Sequence, residues 1–220
     1  PSDYFLITDD HTREGLITRN LPKEKMNITG FPVSPRFESL EKVSPDDPLN
    51  PFRILFFPTA RSPHVTDIIK AALSHENHIT VILGRNVRRL YRKVYSLKKS
   101  FPGRIHIKGW TRKVPELLSS HHLVIGKAGG ATVHEAIAAQ CPMLVHHIVP
   151  GQEEGNIELL DRFQTGSLAT SAKTIRESIS NLLDDDAALW REQKNRLSQH
   201  ARPSAARDAA NFILSKVKPS

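Results

Sequence analysis

From residue 52 onward, short apolar runs alternate with longer segments of helical periodicity. Ile54-Leu55-Phe56-Phe57 precedes a helix predicted near 63–75, and Ile79-Thr80-Val81-Ile82-Leu83 precedes one near 86–100. Arg104 to Lys108 leads into a short helix at 113–120. Leu123-Val124-Ile125 leads into one at 131–139, and Met143-Leu144-Val145 into one near 153–163. Ser167-Leu168-Ala169 opens onto a helical tail. Continuous apolar strands separated by helices imply a parallel sheet covered on both faces. The expected fold class is α/β: a Rossmann-like parallel sheet with helices on both faces. Ligands of such sheets bind beyond the carboxyl ends of the strands. The loops at 58–63, 84–86, 109–112, 126–131 and 147–153 are therefore expected to share one functional edge.

The front of the chain reads strand, helix, strand: Tyr4 to Thr8, Asp10 to Asn20, Met26 to Thr29. Asp9 or Asp10 fits a helix N-cap. Pro32, Pro35, Pro45, Pro48 and Pro51 then punctuate a polar stretch. Prolines at this density argue against continuous helix or central strand, so residues 36–51 read as a linker. No internal repeat is visible, which argues against solenoids.

Composition narrows the classes. Hydrophobic residues make up 39% of the 220, enough for a core. One cysteine excludes a disulfide framework and any multi-cysteine metal site. No apolar run approaches the roughly 20 residues that span a bilayer, and no secretory leader is expected. A formal net charge of +8 points to anionic partners: phosphorylated ligands, nucleic acid or an acidic membrane surface.

The segment Gly126-Lys127-Ala128-Gly129-Gly130-Ala131-Thr132-Val133-His134-Glu135 follows a strand and opens a helix. Glycines allow close backbone approach, and the helix start offers free N–H groups and a positive dipole end. That combination cradles phosphate. Thr132 adds a hydroxyl, and Glu135, one turn on, suits the two hydroxyls of a ribose. The same residues also fit a plain tight turn with a satisfied carboxylate. The segment is not a P-loop.

Pro150-Gly151-Gln152-Glu153-Glu154-Gly155-Asn156 also lies between a strand and a helix. Gln152, Glu153 and Asn156 offer the mixed donors and acceptors that suit a hexose, or they cap a helix start. In Gly84-Arg85-Asn86, Asn86 reads as an N-cap and Arg85 is open to a phosphate or a base. In Gly109-Trp110-Thr111, the glycine lets backbone amides face a planar base; the plain alternative is a turn with a packed Trp110. Arg85, Arg88, Arg89, Arg92 and Lys99 recur at helical spacing beside an apolar stripe of Val87, Leu90, Val94 and Leu97. Such runs are most often solvated faces; the functional reading is attraction to anionic lipid headgroups. Aromatics are too few and not interleaved with the basic residues, so no nucleic-acid partner is expected.

His121-His122 and His146-His147 are neighbours that point to opposite faces in a strand, so neither pair makes a shared metal site. Asp184-Asp185-Asp186 reads as a solvated turn at a helix junction. Cys141, at the mouth of an apolar strand, reads as buried. No metal site is expected, and no Gly-x-Ser-x-Gly elbow is present.

Taken in order, Gly109-Trp110-Thr111, the run from Gly126 to Thr132, Glu135-Ala136, Pro142 and the run from Pro150 to Glu153 with Asn156 resemble the nucleotide-sugar-binding half of glycosyltransferase family 28. The Pro-Gly-Gln-Glu-Glu run is most similar to the diacylglycerol glycosyltransferases of the monogalactosyl- and glucosyl-diacylglycerol type. Thr29-Gly30-Phe31-Pro32-Val33 resembles their interdomain segment. The resemblance covers roughly residues 4–36 and 53–216. It implies the two-domain GT-B fold and transfer of galactose or glucose from a UDP-sugar to a lipid acceptor. UDP-galactose or UDP-glucose is the donor substrate, with no bound cofactor. Gly109 and Trp110 would contact uracil, with Arg85 nearby. Gly129, Gly130 and Thr132 would face the diphosphate, and Glu135 would hold the ribose. Gln152 and Glu153 would hold the sugar, with Asn156 beside them.

Two departures from the family pattern stand out. Relatives carry a Gly-rich loop after the first strand of this domain, whereas Pro58 to His64 has no glycine; Thr59, Arg61 and His64 are the substitutes available. The resemblance also leaves most of an N-terminal domain, with its acceptor groove and general base, outside the chain. It divides the chain into 1–35, a remnant of that domain; 36–51, linker; 52–201, the nucleotide-sugar-binding domain; and 202–220, a crossover helix. The expectation is thus an incomplete catalytic unit, inactive without its N-terminal domain or a separate partner chain. No catalytic residue is assigned within it. The expected location is cytoplasmic and peripheral on the membrane. The alternatives are a non-catalytic module binding anionic membranes or nucleic acid, and half of a sugar-nucleotide epimerase.

Overall fold

The computed structural model describes residues 2–59 and 64–217. These divide into two units, residues 1–40 with 202–220, and residues 41–201.

In the first unit, β1 (Phe5–Ile7) pairs in parallel with β2 (Met26–Ile28), and α1 (Asp10–Ile17) connects them. Asp9 is the N-cap, its carboxylate accepting the Thr12 N–H at 2.7 Å. A single helical turn, α2 (Arg36–Ser39), follows and buries Phe37. The last helix of the chain, α9 (Ala205–Lys216), belongs to this unit. Arg207 reaches Glu38 at 2.7 Å, and the Tyr4 ring meets Phe212 edge-on.

The second unit holds a six-stranded, all-parallel sheet. Its strands are β3 (Arg53–Phe56), β4 (His78–Ile82), β5 (Ile105–Lys108), β6 (Leu123–Lys127), β7 (Met143–His147) and β8 (Gly166–Leu168). They lie in the order β5-β4-β3-β6-β7-β8. Consecutive residues of β3, β4, β6 and β7 are buried, so both faces of the sheet centre are covered. The connecting helices are α3 (Val65–Ala72), α4 (Val87–Ser100), α5 (Val114–Ser120), α6 (Gly130–Ala138) and α7 (Glu154–Phe163). A 3-10 turn, Gly84–Asn86, leads into α4. Val43, within the proline-rich stretch, joins the core with Phe52, Phe56 and Trp190.

After β8 comes α8 (Ala172–His200), opened by a capping box between Ser171 and Thr174. Helical geometry breaks at Asp184–Ala187, and the three aspartates there are solvent-exposed, as a solvated turn requires. The second half of α8 buries Trp190 and Lys194. Trp190 donates its indole N–H to the His122 carbonyl at 2.7 Å, and Lys194 donates to the Gln140 carbonyl at 2.8 Å. Cys141 is buried, which pushes its thiol up to about 12.

Candidate functional site

The strand order determines where a crevice opens. From β3 the chain winds outward through β4 to β5, then returns to lay β6 on the other side of β3. The loops after β3 and β6 therefore leave in opposite directions, and ligands of this fold class bind at such a switch point. The Phe57 N–H continues the ladder to the Ile125 carbonyl at 2.9 Å, so β3 and β6 stay paired up to the crevice.

The strand–loop boundary differs from the sequence expectation. Gly126 and Lys127 are not loop: they extend β6, and the connection is only Ala128 and Gly129 before α6 begins. The apolar run ends at Ile125, but backbone pairing continues, with Gly126 opposite Val145 and Lys127 opposite His147. The register shifts between Gly126 and Lys127, a bulge-like irregularity that re-aims the lysine.

Gly129 is the N-cap of α6, and no side chain caps that helix. Intrahelical bonding starts with the Val133 N–H to the Gly129 carbonyl at 3.0 Å. The amides of the first turn thus project from the helix start with its positive dipole end. Thr132 and Glu135 are half-buried along the same helix, and burial raises the Glu135 carboxyl above its ordinary range.

Lys127, to which the sequence reading gave no role, stands at the centre of the loop contacts. Its Nζ lies 2.5 Å from Glu153 Oε1. The other oxygen, Glu153 Oε2, accepts the Val149 N–H at 3.0 Å. Glu153 is only 5% exposed. Asn156 donates its side-chain N–H to the Ala128 carbonyl at 2.8 Å. The start of α6 and the loop after β7 are thereby braced together. Gly129 makes this possible: a Cβ there would sit 3.1 Å from Lys127 Nζ and 3.6 Å from Glu153 Oε1.

Of the residues expected to face a hexose, Glu153 and Asn156 are engaged within the protein, and Gln152 is exposed. Arg85 and Trp110 are exposed on the far side of the switch point, on the loops after β4 and β5; Gly109 is half-buried. Trp110 is not packed, contrary to the plain reading of that turn. It is 57% exposed, with the Arg112 guanidinium 5.5 Å from its ring centroid. The Asn86 side chain and Arg61 lie outside the described residues.

His146 is a second residue without an earlier role. Its Nε2 approaches the Phe57 carbonyl oxygen at 3.3 Å, so it spans β6 and ties β7 to the end of β3. Burial lowers its pKa. His121 is a core residue, with Nε2 against the Thr80 hydroxyl at 2.9 Å and Nδ1 donating to the Leu117 carbonyl at 2.6 Å. His122 stacks on Phe52 and accepts the Arg53 N–H through Nδ1 at 2.7 Å. Among the described residues, no three His, Cys, Asp or Glu side chains gather as metal ligands would, and no helix is long and apolar enough to cross a membrane.

No protein-family model matches the chain. It is 25% identical over 211 residues to the processive diacylglycerol beta-glucosyltransferase of Bacillus pumilus (strain SAFR-032), covering 92% of this chain and 55% of that protein. The Bacillus cereus (strain AH820) counterpart is 24% identical over 230 residues, covering 99% and 58%. The chain thus spans little more than half the length of the curated relatives it matches. Among solved structures, the UDP-GlcNAc 2-epimerase of Neisseria meningitidis, bound to UDP-GlcNAc, aligns with a TM-score of 0.71 at 16% identity, covering 98% of this chain and 61% of that one. HepE of Anabaena, in complex with UDP and glucose, aligns at 0.57 and 14%, covering 98% and 64%. WaaG, a glycosyltransferase involved in lipopolysaccharide biosynthesis, aligns at 0.58 and 16%, covering 94% and 62%. At these identities the structures speak for the fold. The chain is similar in sequence to the diacylglycerol glycosyltransferases, and its Rossmann-like sheet is the fold of GT-B glycosyltransferases, as its ordered loops imply.

Proposed function

We propose that this chain is the donor-binding half of a hexosyltransferase that moves a sugar from a UDP-sugar to a diacylglycerol-type lipid acceptor. The observation that carries the reading is the uncapped start of α6 beside the switch point, in a chain similar to diacylglycerol glucosyltransferases. The diphosphate sits against the Gly129–Thr132 turn, where N–H groups and the helix dipole meet its charge. The same groups stabilise the charge that develops as UDP departs. Glu135 accepts the ribose hydroxyls, and Trp110, Gly109 and Arg85 border the base. Gln152 is free to meet the sugar, while Glu153 and Asn156 hold that loop in place. Glucose is favoured over galactose by the names of the relatives.

The general base that an acceptor hydroxyl requires comes from a further domain or partner chain. The first unit supports this. Parallel strands are ordinarily covered on both faces, and a two-stranded sheet is marginal by itself. Yet Tyr4, Leu6 and Ile17 are each more than a third exposed, as are Ile213, Leu214 and Val217 at the end of α9. An additional domain continuing that sheet would cover such a surface. By itself the chain then binds donor and transfers nothing.

The second reading, half of a sugar-nucleotide epimerase, shares the same fold, which aligns with an epimerase at a TM-score of 0.71. Calorimetry with UDP, UDP-glucose, UDP-galactose and UDP-GlcNAc decides. Tightest binding of UDP-glucose supports the proposal, and preference for UDP-GlcNAc moves it to the epimerase. No nucleotide binding at all removes both.

A further inference from the structure

The net positive charge of this protein comes from one part of the chain. Residues 77–115 contain 11 of the 31 Lys and Arg and no Asp or Glu, leaving 20 basic against 23 acidic residues for the rest of the chain. These residues span β4, α4, β5 and the turns that flank them, and β5 is an edge strand. Arg104 is turned inward, donating to the Asn77 and Leu73 carbonyls at 3.0 and 2.8 Å. The cations of α4 are turned outward. Leu90, Val94 and Leu97 bury one stripe of that helix, while Arg88, Arg89, Arg92, Lys93, Lys98 and Lys99 are exposed. At 100° per residue, Arg88, Arg92, Tyr95 and Lys99 fall opposite the buried stripe.

Two tyrosines stand among these charges, which corrects the expectation that no aromatic residues interleave with the basic ones. Tyr91 and Tyr95 are 41% and 42% exposed and stack on one another, with ring centroids 5.4 Å apart and planes inclined by 17°. Lys99 Nζ lies 5.4 Å from the Tyr95 centroid. Ordinary solvated helix faces mix both signs of charge and have no reason to display paired aromatic rings. Tyr is at home where water meets lipid, with its ring among acyl carbons and its hydroxyl among headgroups. The mutual stack already occupies one face of each ring, which disfavours a platform for nucleic-acid bases. The helix is about 21 Å long and presents its cations along one side, matching a planar array of phosphates.

We propose that the outward face of α4 is a docking surface for an anionic phospholipid bilayer, with Arg88, Arg92 and Lys99 meeting headgroup phosphates and Tyr91 and Tyr95 entering the interface. This stands apart from the donor-site reading, since no residue of α4 takes part in it.

The test is co-sedimentation of the full chain with vesicles of phosphatidylcholine alone and of equimolar phosphatidylglycerol and phosphatidylcholine. Binding is expected to the anionic vesicles only, and to weaken with salt. The triple variant Arg88→Gln/Arg92→Gln/Lys99→Gln is expected to lose about two orders of magnitude in partitioning. The control Lys23→Gln/Lys70→Gln/Arg176→Gln removes the same charge from exposed sites elsewhere and is expected to change binding little. Tyr91→Ala/Tyr95→Ala is expected to weaken binding while keeping its salt dependence. Failure of the wild type to bind anionic vesicles, equal losses in the two triple variants, or tighter binding of a single-stranded oligonucleotide than of the vesicles overturns the proposal.

Discussion

Lys127 Nζ lies 2.5 Å from Glu153 Oε1, and this contact joins the end of β6 to the start of α7, 26 positions on in the chain. Glu153 is buried and Lys127 is half-exposed, so removing the lysine strands an acid in the interior while costing the lysine little. Lys127→Met is expected to lower stability by about 1–3 kcal/mol, measured by urea unfolding. It is also expected to weaken UDP more than uridine, because the loop it braces flanks the diphosphate turn. Equal losses for UDP and uridine would limit Lys127 to a structural part.

Gly129 and Gly166 separate site effects from folding effects. A Cβ on Gly166 would lie 2.4 Å from the Met143 carbonyl oxygen, a backbone atom that cannot step aside. Gly166→Ala is expected to cost at least about 2 kcal/mol. The atom nearest a Cβ on Gly129 is the mobile end of Lys127, so Gly129→Ala is expected to cost only about 1 kcal/mol. Its effect on UDP binding is expected to be the larger one, since it displaces Lys127 and narrows the turn. Thermal melts beside UDP titrations of both variants check the contrast.

The buried histidines set an acid limit on stability. Burial pushes His121 down to about 4 and His122 to about 3. Unfolded, both take up protons near pH 6.5, so the unfolded chain binds more protons below that pH. Their contribution is complete above about pH 6.5 and is lost as pH falls through 4 and 3. The expected slope is at most about 1.4 kcal/mol per pH unit for each histidine. Urea midpoints measured from pH 7.5 to 4.5 should decline; a flat profile contradicts neutral burial.

Trp190 closes the core under these histidines. Its indole N–H to the His122 carbonyl and its complete burial predict a loss of about 3–5 kcal/mol for Trp190→Ala. Trp190→Phe keeps most of the packing and is expected to cost about 1–2 kcal/mol. Near-ultraviolet circular dichroism during unfolding distinguishes the two.

The parallel sheet was legible because runs such as Ile54 to Phe57 and Met143 to Val145 are apolar at every position, which only a strand covered on both faces needs. The loop order was legible for a related reason, since four of the six runs are followed directly by Pro58, Gly84, Gly109 or Gly126. The reach of β6 was not. Gly126 and Lys127 look like loop, and only pairing with Val145 and His147 makes them strand. The Lys127–Glu153 contact had no local signal either: a lysine and a glutamate so far apart meet only once β6 and β7 lie side by side. Phe37 and Val43 were obscured by the surrounding prolines, which mark irregular backbone but say nothing of burial.

The most direct measurement is calorimetric titration of UDP into the wild-type chain and Glu135→Ala, repeated with uridine and GDP. UDP is expected to bind, uridine and GDP more weakly, and Glu135→Ala to weaken UDP at least tenfold, about 1.4 kcal/mol. UDP affinity should also fall on acidification earlier than for an ordinary carboxylate, since burial raises the Glu135 carboxyl. No UDP binding by the wild type, or unchanged binding in Glu135→Ala, would contradict it.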